Sequence, residues 1–439
     1  MRRFLNQLWI LIGAAVVAFI GSWIYYMPDS AERGVWRLES GGVIVSISPF
    51  RAKMYSESAV ACTLDLSFPA HLKLVELAEG ATIEVIGDTL HINLDGTLDP
   101  MRLSRIDALP DTCTTPDNNA SALEVFNAAW QAMNDNYAFF DLHGIDWEAR
   151  RALAPTGADR LNLTGLFDLL TEMLEGLDDG HIFLASPIDV SSPAQPPAWL
   201  VDGMNRQNLT ENARANVGAD LTPVAQTGIE YTLMPDGVGY VLINHMSIDT
   251  PFGAKSQPAM ALAFAEVADA LAQASTIIID LRYNPGGSDT VAFGIASHFT
   301  DSPLDVLTKT TRAGTGQTEP FTGTVLPFDA TPLTQPLIVL TSKLTGSAAE
   351  ILTLALRELD QTTLMGQPTS GGFSDIMAVK LPNGWDLGLS NQTYRSMDGE
   401  VFEAIGIPPD VPFEITPDPL LNGEDPLLRA AFERARSGG

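Results

Sequence analysis

The sequence predicts an α/β fold, and three apolar segments in its C-terminal half support this prediction. Thr276–Leu281 and Leu337–Thr341 are short continuous apolar runs, typical of strands that are buried on both faces of a sheet. From Ile351 to Leu359, apolar residues recur at helical spacing directly after the second run. Strands that alternate with helices indicate an α/β core, which we assign to residues 229–435.

Residues 1–30 are predicted to be a membrane anchor or a signal segment. Two arginines follow Met1, and Leu8 to Met27 are twenty residues without a charge, which is long enough to cross a bilayer as a helix. Signal peptides have shorter apolar cores and a small-residue cleavage site. We favour an uncleaved anchor, and either alternative predicts a cell-envelope protein, anchored to the inner membrane and facing the periplasm or secreted to the periplasm.

Residues 31–112 are predicted to form a small antiparallel β domain. Val43–Ile47, Ala81–Ile86 and Thr89–Leu94 alternate like strands, and Gly87-Asp88 is a two-residue hairpin signal between the last two. We expect no catalytic chemistry in this domain.

Cys62 and Cys113 are the two cysteines of the chain. In an exported protein we expect them to form a disulfide, and two independent buried thiols are the alternative. The Pro/Thr/Asn-rich stretch from Leu109 to Asn119 predicts a linker.

Residues 120–184 are predicted to be mainly helical. One face of the first helix is apolar, and such a stripe is typical of a core and not of a ligand site; its residues are Phe126, Trp130, Met133 and Tyr137.

Composition excludes some classes of partner. The net charge is −29, from 54 acidic and 25 basic residues. Nucleic-acid binding requires clustered lysine and arginine, so we expect no nucleic-acid partner. No pair of histidines has HExxH spacing and no Cys/His cluster exists in the sequence, so we expect neither a metal nor another cofactor.

Ser347 is the candidate nucleophile. It lies in Thr345–Glu350, between the second predicted buried strand and the helix that follows. A serine at this junction has its hydroxyl at the edge of a sheet, and the amides of the first helical turn, such as that of Ala348, can stabilise an oxyanion. The alternative is a serine that only caps the helix, which is the commoner case for this pattern alone.

Gly286 and Gly287 follow the other buried strand, in Arg282–Gly287. Paired glycines allow a close backbone approach and can direct amide groups into a cleft. Taken alone, such a turn is weak evidence of function.

Four ordered segments together resemble the C-terminal processing (tail-specific) serine peptidases, a family that includes the tricorn core and the interphotoreceptor retinoid-binding modules. The segments are Asp280–Gly287, Thr345–Glu350, Leu364–Gly372 and Phe402–Asp410. The resemblance covers about residues 120–435. It implies a ββα-superhelix of the type shared with crotonases and Clp proteases, and protein or peptide substrates. Between His181 and Gly228 there is too little sequence for the PDZ domain that many members carry.

The general base implied by the resemblance is a histidine. Bacterial members usually carry a lysine in a Gly-Lys-Gly sequence after the serine, but this chain has Gly372 at that position. Lys343 and Lys380 are the nearest lysines, and we interpret both as solvated surface residues.

Leu177–Ile182 resembles the L-x-DGH element of the tricorn-like branch, which makes His181 the base. By the same resemblance Glu403 orients His181, with Glu350 and Asp375 as competitors for this role.

The sequence therefore predicts an exported serine endopeptidase. Ser347 attacks the carbonyl, His181 transfers the proton, and amides of Ala348 and of Gly286 or Gly287 bind the oxyanion. A catalytically silent binding module on the same fold is the alternative, because the retinoid-binding members are not proteases. A crotonase-like acyl-CoA enzyme is a weaker third possibility.

Overall fold

The computed structural model describes residues 27–156, 161–251 and 253–437. The predicted N-terminal anchor therefore lies almost entirely outside the described residues. Within the described ranges, no helix is both long and apolar enough to cross a membrane.

Of the residues described, 27–114 fold into eight strands and one helix. Their bounds are β1 (Gly34–Leu38), β2 (Val43–Ile47), β3 (Arg51–Glu57), β4 (Cys62–Pro69), α1 (Leu72–Glu79), β5 (Thr82–Ile86), β6 (Thr89–Asn93), β7 (Met101–Ile106) and β8 (Cys113–Thr114). They form one sheet in the order β5-β6-β7-β1-β2-β3-β4-β8. Ile86 pairs with Thr89, which confirms the predicted hairpin at Gly87-Asp88. Trp36, Leu90 and Leu103 are fully buried at its core.

The two cysteines form a disulfide bond between neighbouring strands, as predicted. Strand β8 runs parallel to β4, with Cys62 opposite Cys113. The stretch that we predicted to be a linker thus contributes an edge strand to the N-terminal sheet.

The helical region packs on a small antiparallel sheet. Its helices are α2 (Ala122–Asn136), a 3₁₀-helix (Glu148–Leu153) and α3 (Leu163–Leu174), and its strands are β9 (Phe183–Ala185), β10 (Val190–Ser191), β20 (Ile376–Lys380) and β21 (Asp386–Ser390). The sheet order is β10-β9-β21-β20. Ser121 caps α2 by accepting a hydrogen bond from the Glu124 amide, and Glu124 caps in return. The apolar stripe of α2 is buried against these strands, so it is core as predicted.

A seven-stranded central sheet forms the α/β core. Its strands, in spatial order, are β11 (Thr222–Pro223), β12 (Thr227–Leu233), β13 (Val238–Ile248), β14 (Thr276–Asp280), β18 (Leu337–Thr341), β19 (Thr362–Gly366) and β23 (Val411–Pro412). The pairings from β13 to β23 are parallel. A fourth sheet is built from β15 (Leu304–Ala313), β16 (Gly316–Gln317), β17 (Phe321–Val325) and β22 (Gln392–Ser396).

Helices cover both faces of the central sheet. They are α4 (Arg206–Val217), α5 (Ser256–Leu271), α6 (Asp289–Ala296), α7 (Ala348–Arg357), α8 (Pro417–Leu421) and α9 (Pro426–Ser437). Ile277 and Ile279 pack with α5, α6 and α7, whereas Ile278 packs with α4 and α9 on the opposite face. This alternation explains why the strand is apolar throughout. The prediction of a mixed α/β architecture is confirmed, and the parallel register brings the ends of β14 and β18 to one edge.

Removing the disulfide should destabilise the N-terminal sheet. A bond across 51 residues restricts the unfolded chain by about 4 kcal/mol in the loop-entropy model. We expect reductant to lower the midpoint of thermal unfolding measured by circular dichroism. The Cys62→Ser/Cys113→Ser double variant should unfold at the lowered midpoint with or without reductant. A midpoint in the wild type that does not respond to complete reduction would contradict this.

Candidate active site

Ser347 occupies a strained turn at the start of α7. Its φ is +53° and its ψ is −130°, a conformation that few residues other than glycine adopt. The turn is held by its neighbours, because Gly346 N donates to Asn284 O at 3.0 Å and Thr345 Oγ1 donates to Leu281 O at 2.9 Å. A strained serine between a buried strand and a helix is the geometry of a nucleophile elbow.

The glycine turn after β14 packs directly on this serine. A Cβ at Gly286, whose φ is +103°, would lie 2.6 Å from Ser347 Cβ and 2.9 Å from Ala348 N. Only glycine therefore permits this approach. Of the two glycine amides in this turn, that of Gly286 already donates a hydrogen bond, to Asn284 Oδ1 at 2.8 Å. The Ala348 amide lies in the first turn of α7, where amides have no acceptor within the helix.

The Glu350 carboxylate joins the serine turn to the segment 369–374. Its Oε2 accepts from Ser347 N at 3.0 Å and from Gly372 N at 2.9 Å, and its Oε1 accepts from Gly371 N at 2.7 Å. Burial raises the pKa of Glu350 to about 7, although the hydrogen bonds from Thr369 and these amides oppose the shift. The sequence indicates Glu350 only as a competitor for orienting the histidine. The Ser-x-x-Glu spacing of a capping box is the sequence signal for its contact with the Ser347 amide, but not for those with Gly371 and Gly372.

His181 lies in the loop between α3 and β9, beside the same segment. Its backbone N donates to Asp179 Oδ1 at 2.8 Å. A Cβ at Gly372 would lie 3.8 Å from His181 Cε1 and 4.0 Å from Glu350 Oε2. The position at which the resemblance leads one to expect a lysine therefore faces the imidazole.

Burial lowers the pKa of His181, while the charges of Asp179 and Asp375 act to raise it. Asp179 is itself held by Tyr137 Oη at 3.1 Å and Ser390 Oγ at 3.2 Å. A neutral imidazole can accept a proton, which is the state that a general base requires.

Glu403 also contacts the segment 369–374. Its Oε2 accepts from Phe373 N at 3.1 Å and from Ser374 N at 3.2 Å. Burial raises the pKa of Glu403 well above its usual range, and the charges of Asp179 and Glu350 add to this. Among the described residues, Glu403 Oε1 and His181 Nδ1 are both buried and have no hydrogen-bond partner. The structure thus brings Glu403 and His181 to one segment without a direct bond between them.

The two lysines differ from our interpretation as solvated residues, because both are partly buried. The Lys380 ammonium forms ion pairs with Asp386 and, at 3.7 Å, with Asp65. The Lys343 ammonium donates to Ile405 O at 3.1 Å. Packing of the N-terminal sheet against β20, and of the 403–406 turn against the serine turn, accounts for this burial.

The sequence did not reveal a buried charge cluster next to the site. Lys309, which is 1% exposed, pairs with Asp99 and, at 3.2 Å, with Asp375. Burial and the charge of Asp375 raise the pKa of Asp289 to about 8, and Tyr394 Oη donates to its carboxylate at 3.1 Å. Asp375, which we considered as an orienting residue for His181, is thus bound to Lys309.

Comparison with known proteins identifies two family models in this chain. Residues 237–413 match peptidase family S41, and residues 119–175 match the tricorn protease C1 domain. A carboxyl-terminal-processing protease of Synechocystis sp. is 30% identical over 207 residues, which cover 46% of this chain and 43% of that protein. The tricorn protease of Thermoplasma volcanium is 28% identical over 159 residues, which cover 36% of this chain and 14% of that protein. The chain thus matches less than half the length of these curated relatives.

A solved structure has the same architecture. A crystal structure of a candidate peptidase from Parabacteroides merdae superposes with a TM-score of 0.62 at 28% identity, and the match covers 73% of this chain and 98% of that one.

Replacing Glu350 by glutamine should change how stability depends on pH. Because burial raises the pKa of Glu350 from 4.5 to about 7, the folded protein binds its proton more tightly than the unfolded chain does. As the pH rises from 4.5 to about 7, the free energy of unfolding of the wild type should therefore decrease relative to that of Glu350→Gln. The decrease should be up to about 1.4 kcal/mol per pH unit. Urea unfolding of both proteins across this range measures the difference. If the difference in the free energy of unfolding between the two proteins did not change with pH, the Glu350 carboxylate would have the same pKa in the folded and unfolded states.

Proposed function

Because this chain belongs to the C-terminal processing peptidases of family S41, we propose that it is a serine-type peptidase with Ser347 as its nucleophile. The strained turn of Ser347, packed against Gly286 at the start of α7, is the observation that carries the proposal. A serine that only capped a helix would need neither the positive φ nor the glycine contact.

In the proposed reaction, Ser347 Oγ attacks the carbonyl carbon of the scissile bond while His181 accepts the hydroxyl proton. The amides of Ala348 and Gly287 stabilise the oxyanion, each by about 3–4 kcal/mol in the transition state. His181 then donates the proton to the leaving amine, and the acyl-enzyme remains on Ser347. Water, activated by the same imidazole, releases the acid and restores the hydroxyl.

We assign Glu403 the role of orienting His181. The support is that Glu403 Oε1 and His181 Nδ1 both lack a partner among the described residues and border the same segment. Catalytic hydrogen bonds are often long before substrate binds and shorten in the complex. We propose that the two atoms pair when substrate binds.

We also propose that the enzyme acts in the cell envelope and that its core is a ββα-superhelix. The disulfide between Cys62 and Cys113 supports an oxidising compartment. The apolar N-terminal run supports export, as an inner-membrane protein facing the periplasm or a periplasmic one.

A fluorophosphonate probe should label Ser347 and abolish peptide hydrolysis. The Ser347→Ala variant should not be labelled. Its kcat should decrease by more than about a thousandfold, since the triad members act as a unit. Its thermal unfolding should change little, because a cap contributes about 1 kcal/mol. Mass spectrometry locates the label. A folded protein that is neither labelled nor active would support the catalytically silent binding module instead.

The acid limb of the pH profile should report His181. kcat/KM should decrease as the pH falls through the His181 pKa, and this limb should lie below about 6.5 because burial lowers that pKa. His181→Ala should remove most of the turnover, and the Ser347→Ala/His181→Ala pair should be hardly worse than either single variant. Near-wild-type hydrolysis by His181→Ala, with the acid limb unmoved, would contradict this base. Lys380→Ala serves as the control and should retain the profile.

A further inference from the structure

The Lys343 ammonium lies beside the turns that carry the proposed catalytic groups. Lys343 is four residues before Ser347, in the turn between β18 and α7. Its Nζ donates to Ile405 O at 3.1 Å, and the Ile405 side chain is 61% exposed. The turn that carries Ile405 is bound to the site, because Ala404 N donates to Gly371 O at 2.7 Å. The ammonium therefore lies next to the segment 369–374. The amides of this segment bind Glu350, and the segment borders His181.

Lys343 has no carboxylate within ion-pairing distance among the residues that the structure describes. Burial lowers the pKa of Lys343. The charges of Glu350 and Asp178 oppose this shift, although neither carboxylate lies within ion-pairing distance of the ammonium. Both carboxylates are already engaged: Glu350 accepts three backbone amides, and Asp178 Oδ1 accepts from Gln195 N at 2.7 Å.

Lys343 shares the lack of a carboxylate partner with other cations of the described residues, such as Lys255, which donates to Gly80 O. Lys343 differs from Lys255 in its position, because it lies four residues before Ser347 and donates to the turn that contacts Gly371. A partly buried cation loses hydration, and a bound anion regains more of this free energy than a neutral carbonyl such as Ile405 O does. Glu350 and Asp178 do not supply that anion, and a peptide bound in the cleft can.

We propose that Lys343 binds a carboxylate of the peptide substrate near the scissile bond. The carboxylate is either the C-terminal one or that of an aspartate or glutamate side chain. This inference rests on the proposed function and adds a residue that determines specificity. It differs from a lysine base, since the ammonium stays protonated and transfers no proton.

A structural role for Lys343 makes a different prediction. If the side chain only held the Ile405 carbonyl, its hydrogen bond would matter and its charge would not. Lys343→Gln keeps a donor and removes the charge, Lys343→Arg keeps both, and Lys343→Met removes both.

The test compares three fluorescein-labelled peptides of one sequence: a neutral peptide with an amidated C-terminus, the same peptide with a free C-terminal carboxylate, and the amidated peptide with one glutamate. We expect the wild type to favour one carboxylate peptide over the neutral one by about tenfold in kcat/KM. Lys343→Arg should keep this ratio, whereas Lys343→Gln and Lys343→Met should reduce it to near one. Lys380→Gln is the matched control and should keep the ratio.

Preference for the free terminus identifies the C-terminal carboxylate, and preference for the glutamate peptide identifies a side chain. Equal kcat/KM for all three peptides in the wild type, or an unchanged ratio in Lys343→Gln, overturns the proposal. Fluorescence anisotropy with the Ser347→Ala variant measures the Kd of each peptide, so the preference among the three peptides can be expressed as a ratio of Kd values. If binding depends on Lys343 but the wild type hydrolyses no peptide, the peptidase proposal fails and the carboxylate site stands.

Discussion

The site depends on one buried carboxylate, that of Glu350. It accepts hydrogen bonds from the amides of Ser347, Gly371 and Gly372, so it connects two loops that follow different strands of the central sheet. The strained conformation of Ser347 needs such support, because a non-glycine residue at positive φ returns to a relaxed conformation unless its surroundings fix it. Burying a carboxylate is unfavourable, and the three amides offset this cost only while all three are in place.

The second constraint is the parallel register of β14 and β18. Since both strands end at one edge, the glycine turn and the serine turn meet there, and Gly286 packs on Ser347 at a distance that excludes any side chain. Helices on the two faces pack against both strands. The proposed catalytic groups thus lie on loops whose positions are determined by buried strands.

Much of this architecture could be predicted from local sequence. The buried strand at Thr276, the helix after Ser347 and the hairpin at Gly87 each follow from short-range periodicity or turn chemistry. The Glu350 contacts to Gly371 and Gly372 could not be predicted, because they join residues about twenty positions apart through tertiary packing. The burial of Lys309 was hidden for the same reason, since lysine in a strand ordinarily faces water. The orienting role proposed for Glu403 comes from resemblance, and its unpartnered Oε1 beside the segment 369–374 is the support that the structure adds.

Gly372 has a consequence for how such peptidases diverge. A side chain at this position would begin in contact with both the His181 imidazole and the Glu350 carboxylate. These are ordinary van der Waals distances, so the fold leaves room for the Cβ of a lysine at position 372 while a histidine remains at 181. The two kinds of general base therefore do not exclude each other at this point of the backbone. A lineage could acquire one base before it lost the other, so an exchange of bases would not have to pass through an inactive intermediate.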